Sequence, residues 1–292
     1  MLSQLKTAVS QRARRALLGI AVLSLVEQPT IASAQIGARN PQDTVGAQPH
    51  RPLFTYKDAV LAAGFAGATI IMIPLDRRLA VRLQDSSTQA NRFLEHTTHG
   101  VEVLTSPGAF IIGGTMYAVG KLGHFDRLAD LGWHGTESVI FAEGLTYLLK
   151  GVVGRSRPYN SGGNDPDIFK LGKGFSSGDY ASFPSGHTST AFAVAGAVTS
   201  ETTRWWPKST WIIGPIMYGG ATTVGLSRMY HSKHWASDVV LGAAIGTFSG
   251  RKVWQFTHDH PGNRLDKLLL STTVVPDGRG GAMVATSIPV GR

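Results

Sequence analysis

The sequence predicts an all-α fold, a helical bundle of about six core helices with a short β-hairpin-like tail. Three observations carry this. Apolar residues recur with helical spacing in successive stretches between residues 58 and 256. A long segment rich in Gly, Ser, Asn and Asp, 159–183, divides those stretches into two groups. Runs rich in Val, Thr and Ile around a turn sequence mark the tail, after residue 268.

Asp58 to Leu83 reads as one helix, mainly apolar in its first half and kinked at Pro74, which lacks an N–H and crowds the preceding turn. Pro107 to Val119 gives a second helix, and Glu137 to Val153 a third. The 159–183 segment is long enough to act as a functional lid. Helices resume at about 186–200, 209–227 and 235–256. Leu268 to Val275 and Ala282 to Val290, joined by Asp277-Gly278-Arg279-Gly280-Gly281, read as a hairpin.

The N-terminus reads as an export signal. Lys6, Arg12, Arg14 and Arg15 precede an uncharged apolar core, Ala16 to Val26, and Ala32-Ser33-Ala34 matches an A-x-A cleavage site. An 11-residue core is too short to span a bilayer well. The expected organisation is a signal peptide at 1–34, a polar linker at 35–54, a helical domain at 55–262 and a tail at 263–292. The expected location is the periplasm or cell envelope.

Composition narrows the function. The chain has 292 residues, 42% hydrophobic and 16% charged, with no cysteine. That excludes disulfides, thiolate nucleophiles and Cys-based metal sites. The net charge of +9 favours anionic partners. No dense Lys/Arg run with interleaved aromatics is present, so nucleic acid is not expected. Ser209 to Ser227, with 19 uncharged residues, is the stretch that reaches spanning length. Mean hydropathy is near zero, so a soluble bundle, or one associated with a membrane surface, is expected.

Three motifs bear chemistry. The first is Lys150-x6-Arg157-Pro158. Its two cations would lie two turns apart on one helical face if the helix continued. Arg offers a planar fork for phosphate oxygens and Lys a compact charge, although basic residues at a helix end also simply complement its dipole. The second is Pro184-Ser185-Gly186-His187, before a helical run. A helix N-terminus offers N–H groups to an anion, and His187 can protonate a leaving oxygen. Ser185 as an ordinary cap is the competing reading. The third is Ser227-Arg228-x5-His234-x3-Asp238. A carboxylate four residues on can orient an imidazole and expose its other nitrogen as a nucleophile. A surface ion pair, or metal ligation by His231, His234 and Asp238, would use the same residues.

Together these motifs resemble the tripartite signature of the type 2 phosphatidic acid phosphatase and vanadium haloperoxidase superfamily. All three match in order, from Lys150 to Asp238, without substitution at a signature position. The resemblance implies a helical bundle with the site at one end and no catalytic metal or other cofactor. It implies that His234 attacks phosphorus, Asp238 orients it and His187 protonates the leaving group. Lys150, Arg157, Arg228, Ser185 and Gly186 would hold the phosphate oxygens. The expected activity is hydrolysis of phosphomonoesters or lipid and polyprenyl (pyro)phosphates through a phosphohistidine. The alternatives are a haloperoxidase holding vanadate on His234, a non-catalytic lipid-phosphate-binding protein, and a metallohydrolase.

Overall fold

The computed structural model describes residues 52–91 and 107–260, positions 95, 98, 105, 263, 266, 269 and 270, and the backbone of 272–276 and 282–286. The expected signal peptide and most of the linker lie outside the described residues.

The first helical stretch comprises α1 (Tyr56–Met72), a 3₁₀ turn at Ile73–Leu75 and α2 (Asp76–Leu83). A 3₁₀ turn thus interrupts the α-helix at Pro74, where the sequence places a kink. Thr55 and Asp58 cap α1 reciprocally: the Thr55 hydroxyl accepts from the Asp58 N–H, and the Asp58 carboxylate accepts from the Thr55 N–H at 2.8 Å. A four-residue turn, α3 (Ser86–Gln89), follows. Next come α4 (Gly108–Leu122) and α5 (Asp126–Val153). The second half of the bundle is α6 (Gly186–Trp205), α7 (Thr210–Tyr230) and α8 (Ala236–Asp259).

The third predicted helix, Glu137 to Val153, falls 11 residues short at its start, since α5 begins at Asp126. The added segment contains Gly132 and Gly135, which weaken a helical pattern. Tertiary packing overrides that weakness. A Cβ at Gly132 would lie 2.5 Å from the Tyr117 nitrogen, so the missing side chain lets α4 and α5 touch backbone to backbone. The same device joins α6 to α8. Gly242, Gly246 and Gly250 line one face of α8, and a Cβ at each would stand 2.6, 2.3 and 2.4 Å from the carbonyls of Ser189's turn and its neighbours, Ser185, Ser189 and Ala193 respectively.

An ion pair and a backbone-to-carboxylate hydrogen bond hold α1 and α2 against α8. Lys252 Nζ donates to Asp58 Oδ2 at 2.7 Å, and the Ser237 N–H donates to Asp76 Oδ1 at 2.8 Å. Among the described residues, Tyr56–Leu83 is the helical stretch long and apolar enough to cross a membrane. The sequence reading gives that length to Ser209–Ser227 instead, because it counts Asp58 and Asp76 as ends. Both aspartates are buried in polar contacts, and the helical path continues past Asp76.

The segment between α5 and α6 is a loop with three 3₁₀ turns, as the Gly- and Ser-rich composition predicts. Gly154, at φ +60°, ends α5, and a Cβ there would lie 1.8 Å from the Lys170 carbonyl. Strands β1 (Thr272–Pro276) and β2 (Ala282–Thr286) pair antiparallel, with Thr272 opposite Thr286. The hairpin is thus present but shorter than the sequence suggests.

Candidate active site

The three motifs converge on one end of the bundle. Lys150 lies in the last turn of α5 and Arg157 in the loop beyond it. Ser185 is the N-cap of α6, and Gly186 and His187 open that helix. Arg228 lies in the last turn of α7, His234 in the short connection, and Asp238 in the first turn of α8.

Arg157 does not share a helical face with Lys150, since Gly154 turns the chain first. Its guanidinium instead ties two loops, donating from Nε to the Gly178 carbonyl at 2.8 Å and from Nη1 to the Lys233 carbonyl at 3.1 Å. Lys150 Nζ donates to the Ala181 carbonyl at 2.8 Å. Burial, then the Arg157 charge, pushes the Lys150 ammonium down to about 7. Ser185 is fully buried, and its hydroxyl accepts from the Thr188 hydroxyl at 2.8 Å rather than capping α6. Its N–H donates to the Asp238 carbonyl at 3.0 Å. The N–H groups that α6 offers an anion therefore begin at Gly186. A Cβ at Gly186 would meet Lys150 Cε at 3.5 Å and Glu143 Oε2 at 3.6 Å, which places both side chains beside that helix start. Glu143 accepts from the Thr190 hydroxyl. His187 is partly buried.

His234 is 3% exposed. Its Nδ1 lies 2.7 Å from the Ser182 carbonyl oxygen, which can only accept. Nδ1 therefore carries the proton, and Nε2 presents a lone pair. Burial, then the charges of Lys150, Arg157 and Arg228, holds the imidazolium pKa well below the ordinary value. The ring is neutral among cations.

The expected direct bond from Asp238 to His234 is not formed. The nearest oxygen, Oδ2, lies 3.6 Å from Nδ1. Instead Oδ2 accepts from the Ser182 hydroxyl at 2.5 Å and the Trp235 N–H at 2.8 Å, while Oδ1 accepts from Arg155 at 2.6 Å. Asp238 thus holds the residue whose carbonyl holds the imidazole. The i,i+4 spacing brings the side chains together, as expected, but the helix start claims the carboxylate first.

Sequence reasoning missed Ser182, Arg155 and Asp76. Arg155 is 2% exposed and joins Asp76 at 2.8 Å to Asp238 at 2.6 Å. Its two carboxylate partners come from α2 and α8. The spacing that singles out Arg157 contains no sign that its neighbour two residues earlier is the buried ion hub.

Residues 132–261 match the PAP2 superfamily. Over that segment the chain is similar to members of that superfamily. It is similar to the lipid A 1-phosphatase of Porphyromonas gingivalis, 44% identical over 71 residues, which are 24% of this chain and 15% of that protein. It is also similar to the lipid A 4'-phosphatase of Bacteroides thetaiotaomicron, 28% identical over 154 residues, 52% of this chain and 63% of that one. The chain therefore spans less than two thirds of either curated relative. A transmembrane PAP2-type phosphatidylglycerolphosphate phosphatase from Bacillus subtilis aligns over 72% of this chain and 99% of its own, at 21% identity and a TM-score of 0.34. The PAP2 match starts inside α5 and ends just past α8, so it encloses every motif residue.

Proposed function

We propose that this PAP2 chain is a lipid phosphatase that removes a phosphomonoester group through a phosphohistidine on His234, without a catalytic metal. The observation that carries the reading is the buried, neutral His234 imidazole, with its proton on Nδ1 and three cations around it.

Nε2 attacks phosphorus in line with the ester oxygen. The N–P bond forms as the P–O bond breaks, and His187 gives its proton to the departing oxygen. Water then attacks phosphorus, the N–P bond breaks, and His187 takes the water proton. Lys150, Arg157, Arg228 and the N–H groups at the start of α6 stabilise charge on the remaining phosphate oxygens. Asp238, acting through Ser182, keeps the imidazole in the required tautomer. The Ser185 and Gly186 backbone anchors the helix start that meets the phosphate.

The lipid substrate class is supported by the named activities of the two curated relatives. Exposed apolar side chains support membrane association: Ile70 and Ile71 on α1, Ile111 on α4, and Trp211, Ile212 and Ile216 on α7 are each more than 60% exposed. Large apolar side chains left exposed in this number are what a membrane or a partner would cover. The envelope remains the proposed location.

The test is to incubate the full chain with a ³²P-labelled lipid phosphate in detergent micelles and quench at acid and alkaline pH. An acid-labile, alkali-stable label that disappears in His234→Ala supports the mechanism. Turnover without any such label, or with the variant fully active, overturns it.

A further inference from the structure

The helices that build the phosphate site carry a second polar cluster at their far ends. His134 lies 16 residues before Lys150 on α5, Glu201 lies 16 after Ser185 on α6, and His258 lies 20 after Asp238 on α8. At 1.5 Å per residue that is about 24–30 Å from the phosphate end. Asp130, one turn before His134 on α5, completes the group. One ligand atom from each of these four residues can be chosen so that all lie within 4.8 Å of one another.

We propose that Asp130, His134, Glu201 and His258 bind one divalent transition-metal ion. The spacing supports this. His134 Nδ1 lies 3.2 Å from Asp130 Oδ1, and His258 Nε2 lies 3.3 Å from Glu201 Oε2 and 3.7 Å from Asp130 Oδ2. Two ligands on one tetrahedral Zn²⁺, at bonds of 2.0–2.2 Å, stand about 3.3–3.5 Å apart.

A second, independent observation is the state of His134. It is 4% exposed, yet neither ring nitrogen makes a hydrogen bond of acceptable geometry. Leaving a buried ring nitrogen in that state is costly, and a metal ion on Nδ1 would satisfy that nitrogen. The opposite nitrogen, Nε2, faces Asp266 Oδ1 at 3.4 Å. A ligating histidine commonly shows a carboxylate this kind of face. His258 has the complementary arrangement. Its Nδ1 lies 2.9 Å from the Trp254 carbonyl, so the lone pair is on Nε2, the atom that faces Glu201 and Asp130. The Trp254 indole N–H in turn donates to Glu201 Oε2 at 2.5 Å. Asp266 is the weaker candidate ligand, because Trp133 and Asn263 already donate to it.

Arg204 marks the position a cation takes. Its Nη1 stands 2.9 Å from His258 Nε2, 3.3 Å from Glu201 Oε1 and 3.8 Å from Asp130 Oδ2. That side chain is 52% exposed. It borders a cleft of about 590 Å³ that Asp130, Arg127 and Trp205 also line. The guanidinium can move into the cleft as a metal enters by the same route. Two imidazoles with two carboxylates suit Zn²⁺ or a similar first-row ion, rather than Mg²⁺ or Ca²⁺, which prefer all-oxygen sites.

The experiment uses the tag-free full chain in detergent, stripped with chelator and titrated with Zn²⁺ by calorimetry, with Co²⁺ absorption as a geometric readout. One ion per chain is expected, with visible bands of a low-coordinate Co²⁺ site. His134→Ala and His258→Ala should each weaken binding by more than the 10–100-fold that a merely supporting residue costs. Arg204→Ala should tighten it, which a purely structural ion network would not do. Phosphate release by the variants reports that they are folded, and failure of the proposed phosphatase activity leaves the binding test intact. Zn²⁺ affinity unchanged in both histidine variants, or weakened by Arg204→Ala, overturns the proposal.

Discussion

The imidazole of His234 is held by the carbonyl of Ser182 at 2.7 Å, while Ser182's hydroxyl donates to Asp238 at 2.5 Å. One residue in the loop before α6 therefore transmits the carboxylate's position to the ring. A backbone carbonyl cannot be removed by side-chain substitution, so changes at position 182 act by letting the carbonyl shift. Ser182→Ala should lower kcat more than it raises KM. Single-turnover kinetics would check this. An equal effect on binding alone would place Ser182 outside the positioning of His234.

Asp238 and Arg155 stand or fall together. Removing one partner of a buried ion pair costs about 3–5 kcal/mol. Asp238→Ala leaves Arg155 facing Asp76 alone. The expected result is a large drop in thermal midpoint with partial activity below it. His234→Ala should instead abolish turnover at a nearly unchanged midpoint. Thermal unfolding beside activity separates the two.

Leaving-group chemistry tests His187. A general acid contributes about 10²–10⁴-fold, and it matters most when the departing alkoxide is strongly basic. His187→Ala should slow release from an alkyl or sugar phosphate by that range, and release from p-nitrophenyl phosphate by much less. Equal losses on both substrates would assign His187 to binding. Arg228→Ala removes a phosphate-oxygen donor and should cost about 10²–10³-fold on either substrate.

The pH profile has opposite limbs from two groups. The neutral form of His234 is the nucleophile, and its pKa lies well below 6.5, so activity persists as pH falls through that value. The charged form of Lys150 is the useful one, and its pKa is pushed down to about 7. For the free enzyme, kcat/KM should therefore fall as pH rises through about 7. Bound phosphate favours the ammonium, which moves the same limb upward in kcat. Lys150→Arg should displace the alkaline limb in kcat/KM to higher pH, and a limb that stays in place would assign it elsewhere.

The glycine face of α8 makes a stability prediction. A Cβ at Gly246 would stand 2.3 Å from the Ser189 carbonyl. Gly246→Ala should separate α6 from α8 and destabilise by about 1–3 kcal/mol, the usual cost of overpacking. Because Ser185 and Asp238 lie on those two helices, activity should fall with the thermal midpoint. An unchanged melting curve would show that the helices tolerate wider spacing.

Metal dependence separates the two ends of the bundle. In His134→Ala/His258→Ala, which lacks the distal cluster, chelator should leave the rate of phosphate release unchanged. Inhibition by chelator in that variant would argue for a metal at the phosphate site.

The sequence by itself determined the helical series, the interruption at Pro74, the long loop before α6, and the motif residues from Lys150 to Asp238. Those features are local. Periodicity, proline, and residue type at fixed spacing express themselves within a few turns of chain. Tertiary structure alone decided what each group touches. The carbonyl that holds His234 lies 52 residues away, and the two carboxylates on Arg155 lie 79 and 83 away. No local pattern encodes such partners, because burial selects them only once α2, α5 and α8 have packed. The extension of α5 back to Asp126 has the same origin, since Gly132 is a poor helix former that becomes necessary when α4 lies against it. So does the cluster around His134. Its members come from three helices, and helix length together with antiparallel packing brings them to one point.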